Sequence, residues 1–291
     1  MKQTLLSATI ILGLGLSTAY AQDKAISKTK KIEKMENKQK VVSLLKALET
    51  GAKEPLGYIN PNKYIQHNLG VADGLAGLNA LLQALPPNST KVNTARSFQD
   101  GNFVFTHNEY NFFGPKIGFD IFRFEDGKIV EHWDNLQETA KPNASGHTMI
   151  DGSTTIKDLD KTEANKALVK NFFEDILVNK KMEKLSGYFD GDNYIQHNPM
   201  IPDQVSGLKA AIGEFAKQGL FLKIDKIHRV LGEGNFVLVV SEGNFGKDHD
   251  AFYDLFRVEN GKIAEQGNHQ ELINHNGLYR KLIDMQTFSA D

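Results

Sequence analysis

Two rhythms of apolar and polar positions run along the chain, and each occurs twice in the same order. From 38 to 50, KQKVVSLLKALET places Val41, Val42, Leu44, Leu45 and Leu48 at the spacing of one helix face. From 163 to 178, EANKALVKNFFEDILV does the same with Ala167, Val169, Phe172, Phe173 and Ile176. Shorter helices are predicted over Gly74–Leu85 and Val205–Gly219. The period then falls to two. NFVFTHNEYNFF at 102–113 and GFDIFRFEDGKIVEHWDNLQ at 118–137 are rich in aromatic and β-branched residues and read as strands. EDG at 125–127 and ENG at 259–261 fit tight hairpin turns, with glycine in the left-handed conformation. Helices first and antiparallel strands after predict an α+β class, with helices packed on one face of a curved sheet.

The doubling extends to the residues themselves. YIQHN stands at 64–68 and, letter for letter, at 194–198. GNFVFTHNEYNF at 101–112 matches GNFVLVVSEGNF at 234–245, and FDIFRFEDGKIVE at 119–131 matches YDLFRVENGKIAE at 253–265. The three offsets are 130, 133 and 134, so only short insertions separate the copies. The expected organisation is a signal peptide at 1–21, a first domain at 30–138, a linker at 139–160 and a second domain at 161–291. The linker shows in its composition: TAKPNASGHTMIDGSTTIKD is polar and rich in Gly, Ser, Thr and Pro.

Composition narrows the class further. The 291 residues are 40% hydrophobic and 24% charged with a net charge of −2, ordinary values for a globular chain. Beyond Lys28, Lys30, Lys31 and Lys34 there is no basic cluster, so a nucleic-acid partner is not expected. Lys2, the apolar run Leu5–Leu16 and AYA at 19–21 read as a cleavable secretory signal, cut after Ala21; the run is too short for a membrane span, and none is expected elsewhere. This predicts a periplasmic or secreted protein. With no cysteine there is neither disulfide nor thiol chemistry. Asn88 and Asn143 match the N-glycosylation pattern, which matters only in a eukaryotic secretory route.

Strand alternation sorts the candidate chemistry. In HWD at 132–134, His132 and Asp134 face one way and Trp133 the other; Asp120, Phe122 and Phe124 share one face, Ile121 and Arg123 the opposite one. Which set is enclosed is open at this level. So are several roles: His67 and Asn68 as a helix cap or loop pin, Asp120 with Arg123 as a structural pair, His107 as a half-buried strand residue, Trp133 as core. No tight spacing marks a metal site, and no cofactor is expected.

YIQHN, the helix after it, FVFTH and FDIFRFEDGKIVEHWD together resemble the SnoaL-like family of the nuclear transport factor 2-like superfamily. The second unit resembles it through YIQHNPMIPDQVSGL and YDLFRVENGKIAE. The resemblance implies two tandem cones, each of three helices around a curved antiparallel sheet. Its members include polyketide cyclases that close rings by aldol chemistry, isomerases, and proteins that only bind or assemble. It implies a pocket for a small apolar or carbonyl-containing molecule, with acid–base chemistry of aldol, cyclase or isomerase type. The alternative is a non-catalytic binding or assembly module. Asp134 is cast as general base, with His132, His67 and His107 as proton partners. Asn68, Asp120, Phe122 and Trp133 would line the pocket, as would His197, Asn198 and Asp254 in the second unit.

The second unit departs from this pattern. Val240 stands at the position of His107, and Gln266-Gly267-Asn268 at that of His132-Trp133-Asp134. An amide cannot take a proton at neutral pH, so this copy is expected to lack the same chemistry. It would bind a ligand or pack on the first unit as an internal pseudo-dimer; a homo-oligomer is the other expectation. The end, GKIAEQGNHQELINHNGLYRKLIDMQ, resembles the C-terminal end of an ABC-exporter ATPase domain, but no G-x-x-x-x-G-K-[ST] loop accompanies it. It reads as an amphipathic tail with Leu272, Leu278, Leu282 and Met285 for packing, and it puts the last strand of the second unit in question.

Overall fold

A computed structural model describes residues 35–85 and 89–270, the last three by their backbone alone. The expected signal peptide, the basic cluster, Asn88 and the expected amphipathic tail lie outside the described residues. Among the described residues, no helix is long and apolar enough to cross a membrane.

Both units follow one plan. The first runs α1 (Asn37–Thr50), a 3-10 turn (Glu54–Tyr58), a two-residue strand β1 (Ile65–Gln66), α2 (Gly74–Ala84), then β2 (Lys91–Asp100), β3 (Phe103–Asn111), β4 (Pro115–Glu125) and β5 (Lys128–Glu138). The second runs α3 (Thr162–Phe172), which passes into a single π-helical turn (Phe173–Val178), a 3-10 turn (Met182–Tyr188), β6 (Ile195–Gln196), α4 (Val205–Lys217), and β7 (Leu222–Glu233), β8 (Phe236–Phe245), β9 (Asp248–Glu259) and β10 (Lys262–Gln270). Sheet orders are β1-β5-β4-β3-β2 and β6-β10-β9-β8-β7. The long strands pair antiparallel, and each short strand pairs parallel with the last, Gln66 opposite His132 and Gln196 opposite Gln266. The final strand that the tail put in question is therefore formed. Asp126 (φ 48°) with Gly127 (φ 72°), and Asn260 (φ 51°) with Gly261 (φ 71°), make the expected hairpins, both central residues left-handed as a type I′ turn requires.

Asp73, rather than His67 or Asn68, starts α2. Its Oδ1 accepts from the Gly74 amide at 2.8 Å and from the Gln66 amide at 2.7 Å, so one carboxylate caps the helix and pins the pentapeptide. Asn68 does pin its own loop: its Oδ1 accepts from the Gly70 amide at 2.7 Å.

Each sheet is covered on both faces. On the inner face of the first, Val104, Tyr110, Phe122 and Phe124 pack against Val41, Leu44, Leu45 and Leu78 of the helices. Val237, Val239, Phe256 and Val258 play that part in the second, under Val169, Phe172 and Phe173. The outer faces close on each other: Phe98, Phe105, Phe119 and Ile121 of the first unit form one core with Phe236, Leu238, Tyr253 and Leu255 of the second. The contacts at the end of this interface are reciprocal. Glu233 accepts from the Gln99 amide (2.7 Å) and pairs with Lys38 (2.8 Å), while Asp100 accepts from the Gly232 amide (3.0 Å) and pairs with Lys166 (2.7 Å). The chain thus supplies both halves of an internal pseudo-dimer.

The connecting segment is held down along its length. Asn143 donates to the carbonyls of Gln196 (2.6 Å) and Ile201 (3.1 Å). The Arg96 guanidinium donates to those of Ile150 and Ser153, both at 2.8 Å, and to that of Asp151.

Phe119 is fully buried at the shared core, its ring 4.3 Å from that of His107 and 6.4 Å from that of Tyr253. Phe119→Ala is expected to cost about 3–5 kcal/mol. Calorimetry should show one unfolding transition in the parent chain. In the variant it should fall in temperature and separate into two, since the units lose the core that couples them.

Candidate functional site

Alternation within the pentapeptide selects the side chains that enter the first unit. Tyr64, Gln66 and Asn68 turn inward while Ile65 and His67 turn out and are exposed. From the sheet, Asn108 and Tyr110 of β3, Asp120 and Phe122 of β4, and His132 and Asp134 of β5 meet them. Register places Asp120 opposite Asp134 and Phe122 opposite His132.

These residues form one connected polar group. The His132 Nε2 lies 3.0 Å from Asp120 Oδ1, and its ring stacks on Phe122 at 4.4 Å. Tyr110 Oη and Asn108 Nδ2 donate to Asp120 Oδ2 at 2.6 and 2.8 Å. Asn68 Nδ2 donates to Asp134 Oδ2 at 2.6 Å. The Gln66 amide is oriented by its neighbours: its Oε1 accepts from the Asn68 backbone amide (3.0 Å) and its Nε2 donates to Tyr64 Oη (3.3 Å). That Oε1 is 3.1 Å from His132 Nδ1. Both ring nitrogens of His132 therefore face acceptors, and only the doubly protonated imidazolium satisfies both.

The electrostatics agree. Burial alone would lower the His132 pKa, but the bond to Asp120 and the charges of Asp134 and Asp120 outweigh it, and the pKa ends above its usual value. Burial pushes the half-buried Asp134 carboxyl up to about 6; the His132 charge and the Asn68 bond pull it back, and the Asp120 charge adds to the rise. Burial and the carboxylate charges keep Tyr64 and Tyr110 protonated far above their ordinary range. The result is a fixed ion pair, Asp120 with His132, beside a carboxyl group whose proton is exchangeable near neutral pH.

Of the residues predicted from sequence, Asp134, His132, Asp120, Phe122 and Asn68 come together here. His67, His107 and Trp133 do not, because each occupies the opposite strand parity. His67 lies 2.8 Å from Glu131 and stacks on Trp133 at 4.7 Å. Trp133 also carries Arg229 of the second unit 4.3 Å from its ring centre, so it belongs to the interface between units and not to a pocket wall. His107 is buried at that interface, with Arg96 Nη1 3.3 Å from its Nδ1. Arg123 pairs with Glu131 (2.6 Å) and Glu125 (2.5 Å) on the outer face, so the Asp120–Arg123 pair does not exist. Sequence reasoning missed Tyr64, Gln66, Asn108 and Tyr110; the period of two in YIQHN and THNEY was the available signal.

In the second unit Asp254 keeps its inward place, and Gln266 replaces the imidazole. Gln266 accepts from Tyr194 Oη and donates to Asp254 Oδ1 at 2.9 Å. Asn198 makes the same loop turn as Asn68, accepting from the Met200 amide at 2.8 Å. His197 faces outward to Glu265 and the linker.

Among the described residues, two groups bring three metal-capable atoms within 4.8 Å of one another: Asp120, His132 and Asp134, and His147, Asp151 and His197. In the first group a cation would have to displace the single imidazole from Asp120 or Gln66.

No protein-family model and no curated protein matches the chain. Among solved structures it is similar to TsrD from Streptomyces laurentii (19% identity, TM-score 0.30, covering 35% of this chain and 92% of that one). A provisionally named ketosteroid isomerase from Kribbella flavida gives 15%, 0.33, 42% and 89%. An NTF2-like protein of unknown function from Cytophaga hutchinsonii gives 19%, 0.30, 41% and 94%. The two-unit α+β architecture stands on the strand order and register described above.

The raised Asp134 pKa fixes a sign. Between the ordinary value of 3.8 and about 6 the folded chain holds more protons than the unfolded one. Stability from this group is therefore complete below the lower value and is lost as pH rises through the upper one. Asp134→Asn, which retains an acceptor for Asn68, should stabilise the chain by up to about 3 kcal/mol at pH 8 and by nothing near pH 4. Denaturant unfolding of both proteins across that range measures the difference.

Proposed function

We propose that the first unit carries out proton transfer next to the carbonyl of a small apolar molecule, in a reaction of aldol, cyclase or isomerase type, and that the chain acts after export. The observation that supports this most is the carboxyl of Asp134, raised to about 6 beside an imidazolium that Asp120 holds in place. A general base works best with a pKa near the operating pH.

In this reading Asp134 removes a proton from the carbon next to the carbonyl. The C–H bond breaks, the proton moves to the carboxylate, and the electron pair shifts to the carbonyl oxygen as an enolate. The phenol of Tyr64, kept protonated, and the amide of Asn68 are donors for that oxygen. Return of the proton to a different carbon completes an isomerisation; in an aldol closure the enolate carbon bonds to a second carbonyl carbon, and the alkoxide formed there takes the proton back from Asp134. His132 stays charged throughout and stabilises the developing anion, as a preorganised positive group in a water-poor site does. The second unit, with Gln266 closed onto Tyr194 and Asp254, keeps the frame without an imidazole, which favours binding alone there.

The test is deuterium uptake by mass spectrometry, with the purified chain in heavy water and a panel of ketones, β-keto esters and hydroxy-ketones. Uptake should rise with pH through about 6 as Asp134 ionises and be lost in Asp134→Asn. His132→Gln, which copies the second unit, should lower it by about 10²-fold or more with the fold intact. No uptake across the panel would overturn the catalytic reading and leave ligand binding. Uptake that survives Asp134→Asn would move the base elsewhere.

A further inference from the structure

The linker and the second unit meet in a group of side chains that the proposed chemistry does not use. His147 and Asp151 come from the linker and His197 from the repeated pentapeptide. We propose that these three residues bind a first-row divalent cation, with Zn2+ as the natural probe. Their ring Nδ1 atoms converge on one carboxylate: His197 Nδ1 is 2.6 Å from Asp151 Oδ1, and His147 Nδ1 is 3.5 Å from Asp151 Oδ2. The Thr148 carbonyl oxygen lies 2.9 Å from His197 Nδ1. Donors about 2.0–2.2 Å from a tetrahedral ion lie about 3.3–3.6 Å from each other, so the spacings of 2.6 and 3.5 Å found here need the side chains to open by less than about 1 Å to admit one.

Three further features point to a ligand. Each ring is backed by a carboxylate on its other nitrogen: His197 Nε2 is 2.5 Å from Glu265 and His147 Nε2 is 3.2 Å from Asp203. Such carboxylate–histidine pairs orient metal-ligating imidazoles and raise their basicity. Arg257 in turn holds Glu265 at 2.5 Å, and the Gln196 amide holds Asp203 at 3.0 Å. Second, Asp151 Oδ1 is buried with no aligned hydrogen-bond donor and faces His197 Nδ1, and an ion between them takes the place of the proton that Nδ1 otherwise carries toward the Thr148 carbonyl. Third, the loop is built to bring these groups close. Arg96 clamps three of its carbonyls, Asp151 Oδ2 accepts from the Thr148 amide at 3.0 Å, and Gly152 (φ 89°) lies where a Cβ would come within 1.9 Å of Glu265 Oε1. Two nitrogens with oxygen donors suit zinc and its neighbours better than calcium or magnesium. His147 and Asp151 keep about a third of their side-chain surface exposed, so an ion can enter from solvent. Once bound, it would fasten the linker to the second unit.

Isothermal titration of the metal-stripped chain with Zn2+ should show one ion per chain with a Kd of about 10 µM or tighter, and a raised melting temperature. His147→Ala and Asp151→Asn, at half-exposed positions, should each weaken binding at least about tenfold, and Glu265→Gln by about 10–100-fold through His197. Circular dichroism confirms that each variant is folded. His132→Gln, in the first unit, should bind as the parent does. Absence of binding at about 100 µM Zn2+, or affinity unchanged in both His147→Ala and Asp151→Asn, would overturn the proposal.

Discussion

The polar group of the first unit depends on a sheet whose central strands are covered on both sides. An antiparallel sheet ordinarily keeps one side wet, and its strands alternate apolar and polar residues accordingly. Here the inner side is covered by the unit's own helices and the outer side by the other sheet. Every central strand residue is thus committed to one of two interiors, and every polar one must find partners there. Asp120 shows the consequence. Buried in the centre of β4, it takes bonds from His132, Asn108 and Tyr110, which fixes all four side chains together. The Asp120 charge favours the imidazolium, and the imidazolium in turn pulls the Asp134 pKa down.

The same constraint explains what the sequence could and could not reveal. The tandem repeat, the paired helices, the hairpin turns and the shared parity of His132 with Asp134 were legible, because they follow from periodicity and local turn chemistry. The choice of inner face was not. With both faces buried, β3 carries Val104 inward and Phe105 outward, and neither composition nor hydrophobicity separates them. His107 and Trp133 looked like pocket residues for that reason, yet both serve the interface. The parity of YIQHN resolves the matter only once its pairing with β5 is known, since that pairing sends Tyr64, Gln66 and Asn68 to the side of His132.

The repeated histidine has a structural explanation in both copies. His67 and His197 point outward to the equivalent glutamates Glu131 and Glu265, which Arg123 and Arg257 bind in turn. What differs is the surroundings. In the first unit the neighbouring position is Trp133, stacked on an exposed His67. In the second it is Gly267, and a Cβ there would lie only 3.7 Å from that of His197. The missing indole leaves room for the linker loop to fold over His197 and bury it. One duplicated motif therefore stacks against an aromatic interface in one copy and anchors the connecting segment in the other.

The two inner faces have diverged in a complementary way. Where the first unit holds His132, the second has Gln266, which cannot ionise. A carboxyl with a raised pKa lowers stability at neutral pH, because the folded state resists the charge that the unfolded state accepts. The first unit bears that cost beside its site, while the second relaxes into a neutral chain of bonds from Tyr194 through Gln266 to Asp254. The shared core of Phe105, Phe119, Leu238 and Leu255 couples the two units, so stability gained in one is available to the other.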